Sequence, residues 1–471
     1  MSYLKTRLIL GVLIAGLFGC EQTQSARSVA QGALPMPPAA AEYALQSPNE
    51  NENRVQPLLG LGKVRHVVII FQENRTTDNL FHGLRGADTA DFGINTAGQH
   101  VPLIAVKLTA RFDVSHQHSA FNTAYDGGHM DGFNLERSNC AGKRFHCPPQ
   151  DRRAYAFVPP AEVKPYFALA ENYAFADRMF STQAGPSFPA HQYILSGTST
   201  ITKGSRFRAS ENPLTPGQHF TGGCDSPQGS LVFLIDGNGT EDQQVFPCFD
   251  RPSLSDLVLQ KGLTWRWYQA HLGPGLWSGP DAIKHIRDSP HFDTDVVAPP
   301  SRIFTDIKNE TLANVVWVTP TAAASDHAGA TNGTGPQWVA SVVNAIGRSK
   351  YWDTTAIFVT WDDWGGWYDH VKPPQYNAYE LGFRVPLIAI GAYAKKGFIS
   401  HRQHEFGSIL KFTEQIFDLG TLGTTDLRSD NLADCFDFLK KPRPFTSVPT
   451  TLGAEYFLNQ PISYENPDTD F

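Results

Sequence analysis

His66-Val67-Val68-Ile69-Ile70-Phe71-Gln72-Glu73-Asn74-Arg75 carries five consecutive apolar residues straight into four polar or charged ones. An unbroken apolar run of this length has the pattern of a strand buried on both faces, as in a parallel sheet; a strand with one wet face would alternate. Val315 to Val318, Ala356 to Thr360 and Val385 to Ile390 read the same way. Trp338, Val342, Val343 and Ile346 recur at helical spacing, as do Ile409, Phe412, Thr413, Ile416 and Phe417. Strand and helix in this alternation predict an α/β fold, with an open, mostly parallel sheet flanked by helices.

The 471 residues are enough for a large domain of this class. Hydrophobic residues make up 41% and charged residues 18%, which excludes wholesale disorder. The 40 glycines and 33 prolines exceed the roughly 12% of average usage without a collagen period, so long connecting loops are expected. With 39 basic and 46 acidic residues the formal net charge is −7, and no run of Lys or Arg offers a track for a phosphate backbone. Nucleic acid is therefore not an expected partner.

Lys5 and Arg7 precede an apolar run from Leu8 to Phe18 that is too short for a comfortable membrane span and is placed like a signal-peptide core. Residues 1–20 are expected to be a signal peptide, directing the chain to the periplasm, the outer membrane or the medium. Leu17-Phe18-Gly19-Cys20 resembles a bacterial lipobox, which makes a lipid anchor at Cys20 the expected membrane contact; the alternative is an ordinary cleaved signal with an incidental Cys. Residues 21–60, rich in Gln, Ala, Pro, Ser and Asn, read as a flexible tether, and 61–471 as a single domain. Cys140 with Cys147, and Cys224 with Cys248, are the natural disulfide pairs for an oxidising compartment, which leaves Cys435 as a buried, inert thiol. The second pair falls in a Gly- and Asn-rich stretch at about 205–250 that reads as a loop-rich, disulfide-bearing insertion.

In an open α/β sheet, ligands bind beyond the carboxyl ends of strands. Two such ends are rich in polar residues: Gln72-Glu73-Asn74-Arg75 after the first strand, and Asp362-Asp363-Trp364-Gly365-Gly366 after the strand ending at Thr360 and Trp361. Three carboxylates and an amide at one sheet edge repel unless a cation or proton neutralises them, so either they hold a metal or they cap helices. His116, His327 and His370 lie in separate loops; several imidazoles converging on one point can bind metal or stabilise phosphoryl oxygens, whereas a single loop His is commonly just solvated. Ser187, in Gly185-Pro186-Ser187-Phe188-Pro189, sits where a helix begins, either as a plain cap or beside an anion site made by free N–H groups. Pro189 breaks the pattern of a hydrolase nucleophile elbow.

Taken together, the 66–75 stretch, Gly185-Pro186-Ser187, Ser325-Asp326-His327 and the run from Asp362 to Pro374 resemble the bacterial phosphoesterase family of phosphatidylcholine-type phospholipases C and acid phosphatases. The likeness continues through Gly382-Phe383-Arg384-Val385-Pro386 and His401 to Pro442-Arg443-Pro444-Phe445, about residues 61 to 446. It implies an alkaline-phosphatase-like core in which a metal-bound Ser or Thr attacks phosphorus. Carried over motif by motif, Glu73, Asn74, Ser187, Asp362 and Asp363 would bind a divalent metal ion. Ser187 would be the nucleophile, with His116, His327 and His370 as catalytic groups around it. Two places depart from the family's habit: Asp363-Trp364 stands where Asp-Glu is common, and Pro189-Ala190-His191 where Pro-Asn-Arg is frequent.

These expectations amount to an exported, metal-dependent phosphoesterase that hydrolyses phosphate monoesters of the acid phosphatase type through a phosphoserine. The preference for monoesters comes from the chain stopping soon after Phe445 and from the lack of a twin-Arg signal. The alternative is a phospholipase C acting on phospholipid headgroups. A third reading, without catalysis, is a metal- or phosphate-binding surface lipoprotein that uses Trp361, Trp364 and Trp367 as a binding face.

Overall fold

A computed structural model describes residues 60–141, 146–217 and 219–465. The expected signal peptide, Cys20 and all but the last residue of the tether lie outside them. Eight strands form the central sheet: β1 (His66–Gln72), β2 (Ala174–Ala176), β3 (Trp265–Tyr268), β4 (Val296–Val297), β5 (Val315–Val318), β6 (Thr355–Trp361), β7 (Leu387–Gly391) and β8 (Phe398–Ser400). Their spatial order is β4-β3-β5-β1-β6-β7-β2-β8. All run parallel except β7, which is antiparallel to both neighbours. The sheet is thus mostly parallel, as its unbroken apolar runs require. The Val385–Ile390 segment, grouped with parallel strands on apolarity alone, is instead the reversed strand, because a buried strand carries the same residues in either direction.

Helices cover both faces. In β1, successive side chains point to opposite sides. Phe71 meets the Phe406 ring of α4 (Phe406–Phe417), while Gln72 reaches Tyr166 of α1 (Lys164–Asn172). On the first face α4 packs against α2 (Ser187–Ser196); on the second α1 packs against α3 (Gly335–Gly347). The centre is dry: Val67, Val68, Ile69, Ile70 and Phe71 are fully buried. Among the described residues no helix is long and apolar enough to cross a membrane.

Between α2 and β3 the chain leaves the main sheet to form a small antiparallel ribbon of Arg208–Ala209, Val232–Ile235 and Gln243–Val245. The Cys224–Cys248 disulfide closes this stretch, and a second disulfide joins Cys140 to Cys147. The ribbon owns a separate apolar cluster that includes Phe188, Ala209, Val232, Phe249 and Trp277.

The end of the stretch is fastened electrostatically. His285 Nδ1 lies 2.5 Å from Asp250 Oδ1 and Nε2 lies 3.0 Å from Asp256 Oδ1. Hydrogen bonding to Asp256, joined by Asp250, outweighs burial and pushes the imidazole up to about 9. A folded-state value above the unfolded one means stability that is complete below about pH 6.5 and fades as pH rises through about 9. His285→Gln is therefore expected to lower Tm at about pH 6 and to converge on the parent at about pH 10; an equal loss at both would show that the clamp does not act through charge.

Candidate active site

The register of the sheet builds the site. Gln72 pairs with Trp361 at the carboxyl ends of β1 and β6, and Asp362 N–H donates to the Gln72 carbonyl at 3.0 Å. The next residues on each strand, Glu73 and Asn74 on one side and Asp362 and Asp363 on the other, are thereby side by side and fully buried or nearly so. Asn74 takes a left-handed conformation, φ 60°, which turns the chain back on itself. Its N–H and that of Asp363 both donate to Asp362 Oδ1, at 2.9 and 2.8 Å, while Gly365 N–H holds Asp363 Oδ1 at 2.7 Å. This web of backbone donors fixes the carboxylates before any ligand arrives.

Ser187, the first residue of α2 and fully buried, reaches the same point from the other side. Its hydroxyl donates to Glu73 Oε2 at 3.2 Å and approaches Asp363 Oδ2 at 3.5 Å. Phe188 N–H, in the first turn, is held by Asn212 of the ribbon at 2.9 Å. One helical turn beyond Ser187, His191 Nε2–H donates to Glu73 Oε1 at 3.0 Å. Burial drives His191 well below its usual value, so the imidazole is neutral, and Trp277 stacks on it. The sequence pointed to this residue only as a departure from the family pattern; its spacing of four from Ser187 was the available signal.

His116 Nδ1–H donates to the Val114 carbonyl at 3.1 Å, which leaves Nε2 as an acceptor for Asn74 Nδ2–H at 2.9 Å. His327 lies behind it, ring centroids 5.7 Å apart. Asp326, beside His327, turns away to take Tyr166 and Trp361 at 2.7 and 3.0 Å, and burial raises its carboxyl to about 6. His370, expected among the catalytic groups, does not join them. Its ring bonds to Asp78 Oδ2 at 2.7 Å and Asp88 Oδ1 at 3.1 Å, in a separate network with Arg384 and Asp369. The loop after Asp369 is drawn there because those carboxylates and the buried Arg384 guanidinium neutralise one another. Trp361, Trp364 and Trp367 are also fully buried, so they are wall and core and not an exposed binding face.

The donor set fits a divalent cation. With Asn74 Nδ2 on His116, Asn74 Oδ1 faces Glu73 Oε2 and Asp362 Oδ1, acceptors that its own amide nitrogen would meet at 2.9 and 3.1 Å if the group were rotated. Asp362 Oδ2 is buried and accepts no hydrogen bond. Atoms of Glu73, His191 and Asp362 lie within 4.8 Å of one another. Glu73, Asp362 and the Asn74 amide thus bring oxygen donors to one buried point, a set that a divalent cation would satisfy.

Gly365 lets the two strand ends approach. It adopts φ +61°, and a Cβ there would lie 2.3 Å from the Asn74 carbonyl oxygen. Gly98 also has positive φ, +72°, but faces open space. Gly98→Ala is expected to lose about 1 kcal/mol in urea unfolding, from backbone strain alone. Gly365→Ala is expected to lose about 3 kcal/mol or more, and equal losses would mean that the approach to Asn74 is not tight.

A family model described as the Phosphoesterase family matches residues 64–420. The non-hemolytic phospholipase C of Pseudomonas aeruginosa is 23% identical over an alignment covering 92% of this chain and 65% of that enzyme. The hemolytic phospholipase C of the same organism is also 23% identical, over 80% of this chain and 56% of the enzyme, so the chain spans less than two thirds of either. Phospholipase C B of Mycobacterium tuberculosis is 22% identical, with 82% of this chain and 80% of that one covered. Among solved structures, a protein in the alkaline phosphatase superfamily from Vibrio parahaemolyticus matches 84% of this chain and 77% of its own, with 11% identity and a TM-score of 0.37.

Proposed function

The chain belongs to the Phosphoesterase family, and on that premise we propose that it is a metal-dependent hydrolase of phosphoric esters, with Ser187 as nucleophile and phosphodiesters of the phospholipase C type as substrates. The observation that carries the proposal is a buried serine hydroxyl at a helix start, 3.2 Å from a carboxylate in a cradle of oxygens suited to a cation. The names of the curated relatives favour the diester reading over the monoester preference drawn from the sequence, which rested on the stop soon after Phe445 and on the lack of a twin-Arg signal.

Glu73, Asn74 and Asp362 would hold the metal, with Asp363, His191 and Ser187 at its edge. When bound, a divalent cation supplies Lewis-acid charge that favours the serine alkoxide and offsets charge on the phosphoryl oxygens. Ser187 Oγ forms the bond to phosphorus as the alcohol leaves, and its proton passes toward Glu73 Oε2, which already accepts it. The first-turn N–H groups of α2 add positive potential at the phosphoryl group. We read His116 and His327 as the groups that exchange protons with the departing oxygen and with the water that releases the phosphoryl group from Ser187. His191, neutral and stacked, holds Glu73 in place. The carboxylates are thus oriented for metal and hydroxyl before substrate binds.

Ser187→Ala is expected to retain bound metal and to lose turnover by at least about a thousandfold. Asp362→Asn is expected to lose both metal, by elemental analysis, and turnover. Full activity in either would remove that residue from the mechanism. Chelation is expected to abolish turnover reversibly. Comparing p-nitrophenyl phosphorylcholine with p-nitrophenyl phosphate separates the two substrate classes: higher kcat/KM for the diester supports the proposal, and higher kcat/KM for the monoester restores the acid phosphatase reading.

A further inference from the structure

We propose that His404, Asp434 and Cys435 form a second metal site, for a thiophilic divalent cation of the zinc type, fastening the loop after β8 to the 430–435 turn. One ligand atom from each lies within 4.8 Å of the others, and all three residues are buried. The donors are sulfur, nitrogen and oxygen, a set that suits zinc and not the oxygen-seeking calcium or magnesium.

Two observations go beyond proximity. Asp434 Oδ1 is buried, accepts no hydrogen bond and lies 4.0 Å from His404 Nε2, on a side chain only 9% exposed. Its partner oxygen Oδ2 is satisfied by the Ser400 hydroxyl, so the carboxylate is anchored on one side and open on the other. In this structure the partner of that oxygen is the His404 ring, an ion pair that a cation bound between the two would replace. Asp430 Oδ1, in turn, lies 2.8 Å from His404 Nδ1. A carboxylate on one ring nitrogen orients the other toward a metal and makes it a better donor.

Cys435 completes the charge balance. The other four cysteines among the described residues are in disulfides, whereas Cys435 is a free, buried thiol. On binding, the sulfur–metal bond forms as the thiol proton leaves to solvent, and the Nε2 proton that His404 directs at Ser400 Oγ leaves with it, which frees the ring lone pair for the metal. Thiolate and the Asp434 carboxylate carry two negative charges against the cation's two positive ones, and Asp430 on the far ring nitrogen adds one negative charge outside the ligand set.

The site would brace the segment that leads to Ser187. Phe180 N–H donates to the His404 carbonyl at 2.9 Å, His404 N–H to the Arg178 carbonyl at 2.9 Å, and Phe406 N–H to Thr182 Oγ1 at 3.0 Å. The proposal is independent of the Ser187 chemistry, whose cradle is mostly oxygen.

The test uses the full chain, stripped by chelator and titrated with cobalt(II) alone. Wild type and Asp362→Asn are both expected to show one equivalent of thiolate-to-cobalt charge transfer in the near ultraviolet, displaced by zinc, which also raises Tm. Cys435→Ser is expected to lose the band and the Tm shift. If Cys435→Ser does not fold, Asp434→Asn is expected to weaken cobalt binding by at least about tenfold. Folded wild-type protein without the band, a band that survives in Cys435→Ser, or unchanged affinity in Asp434→Asn would each overturn the proposal.

Discussion

The pairing of Gln72 with Trp361 is the constraint on which the rest of the molecule depends. Parallel neighbours end on the same edge of a sheet, so the residues following β1 and β6 emerge together. Here those residues are acidic and carry an amide, and the sheet edge on which they emerge is covered. Three buried carboxylates in one place are unfavourable by themselves. They are tolerated because backbone N–H groups occupy Asp362 Oδ1 and Asp363 Oδ1, and because the remaining oxygens are arranged for a positive charge. The same fixed carboxylates then give the Ser187 hydroxyl its orientation.

The helix that brings Ser187 to this edge is held at its far end by a different kind of contact. Tyr193, two residues beyond His191, donates to Glu380 at 2.5 Å; Glu380 also receives Arg428 at 2.7 Å, and Arg428 forks onto both oxygens of Glu405 at 2.8 Å. Glu405 caps α4, the helix packed against α2. The network is dry, and charges in such a network are stable only as a set: removal of one partner leaves another buried and unpaired. The helix that carries Ser187 is therefore positioned by carboxylates at one end and by a closed ion network at the other. Neither end relies on solvent-exposed salt bridges, which would be weak and screened.

Much of this was legible in the residues. The four long strands and the two amphipathic helices follow from apolar runs and from helical spacing, and both disulfides follow from local Cys pairs. Glu73, Asn74, Asp362, Asp363 and Ser187 stand at strand ends or a helix start, positions that sequence marks. The short strands Ala174–Ala176, Trp265–Tyr268, Val296–Val297 and Phe398–Ser400 were not legible, because two to four residues carry too little periodicity and Arg266 interrupts the apolar run of the longest. Nor was the reversal of β7. His370 was misplaced because the carboxylates that capture it, Asp78 and Asp88, are nearly three hundred residues away. His191 was under-read for the opposite reason: its importance is local, four residues from Ser187, but only its contact with Glu73 gives that spacing a meaning.

Phe188 belongs to the apolar cluster of the ribbon, although it adjoins Ser187 in the main domain. The ribbon's cluster and the site therefore meet at this pair, and meet again where Trp277 of the same cluster stacks on His191. Remodelling of the ribbon, by insertion, trimming or loss of its cysteines, is transmitted to the aim of the hydroxyl through Phe188, held by Asn212, and through the Trp277 stack on His191. An appendage of this kind can vary freely in its outer loops, but not at its root, where a change of volume becomes a change of angle at the Ser187 oxygen.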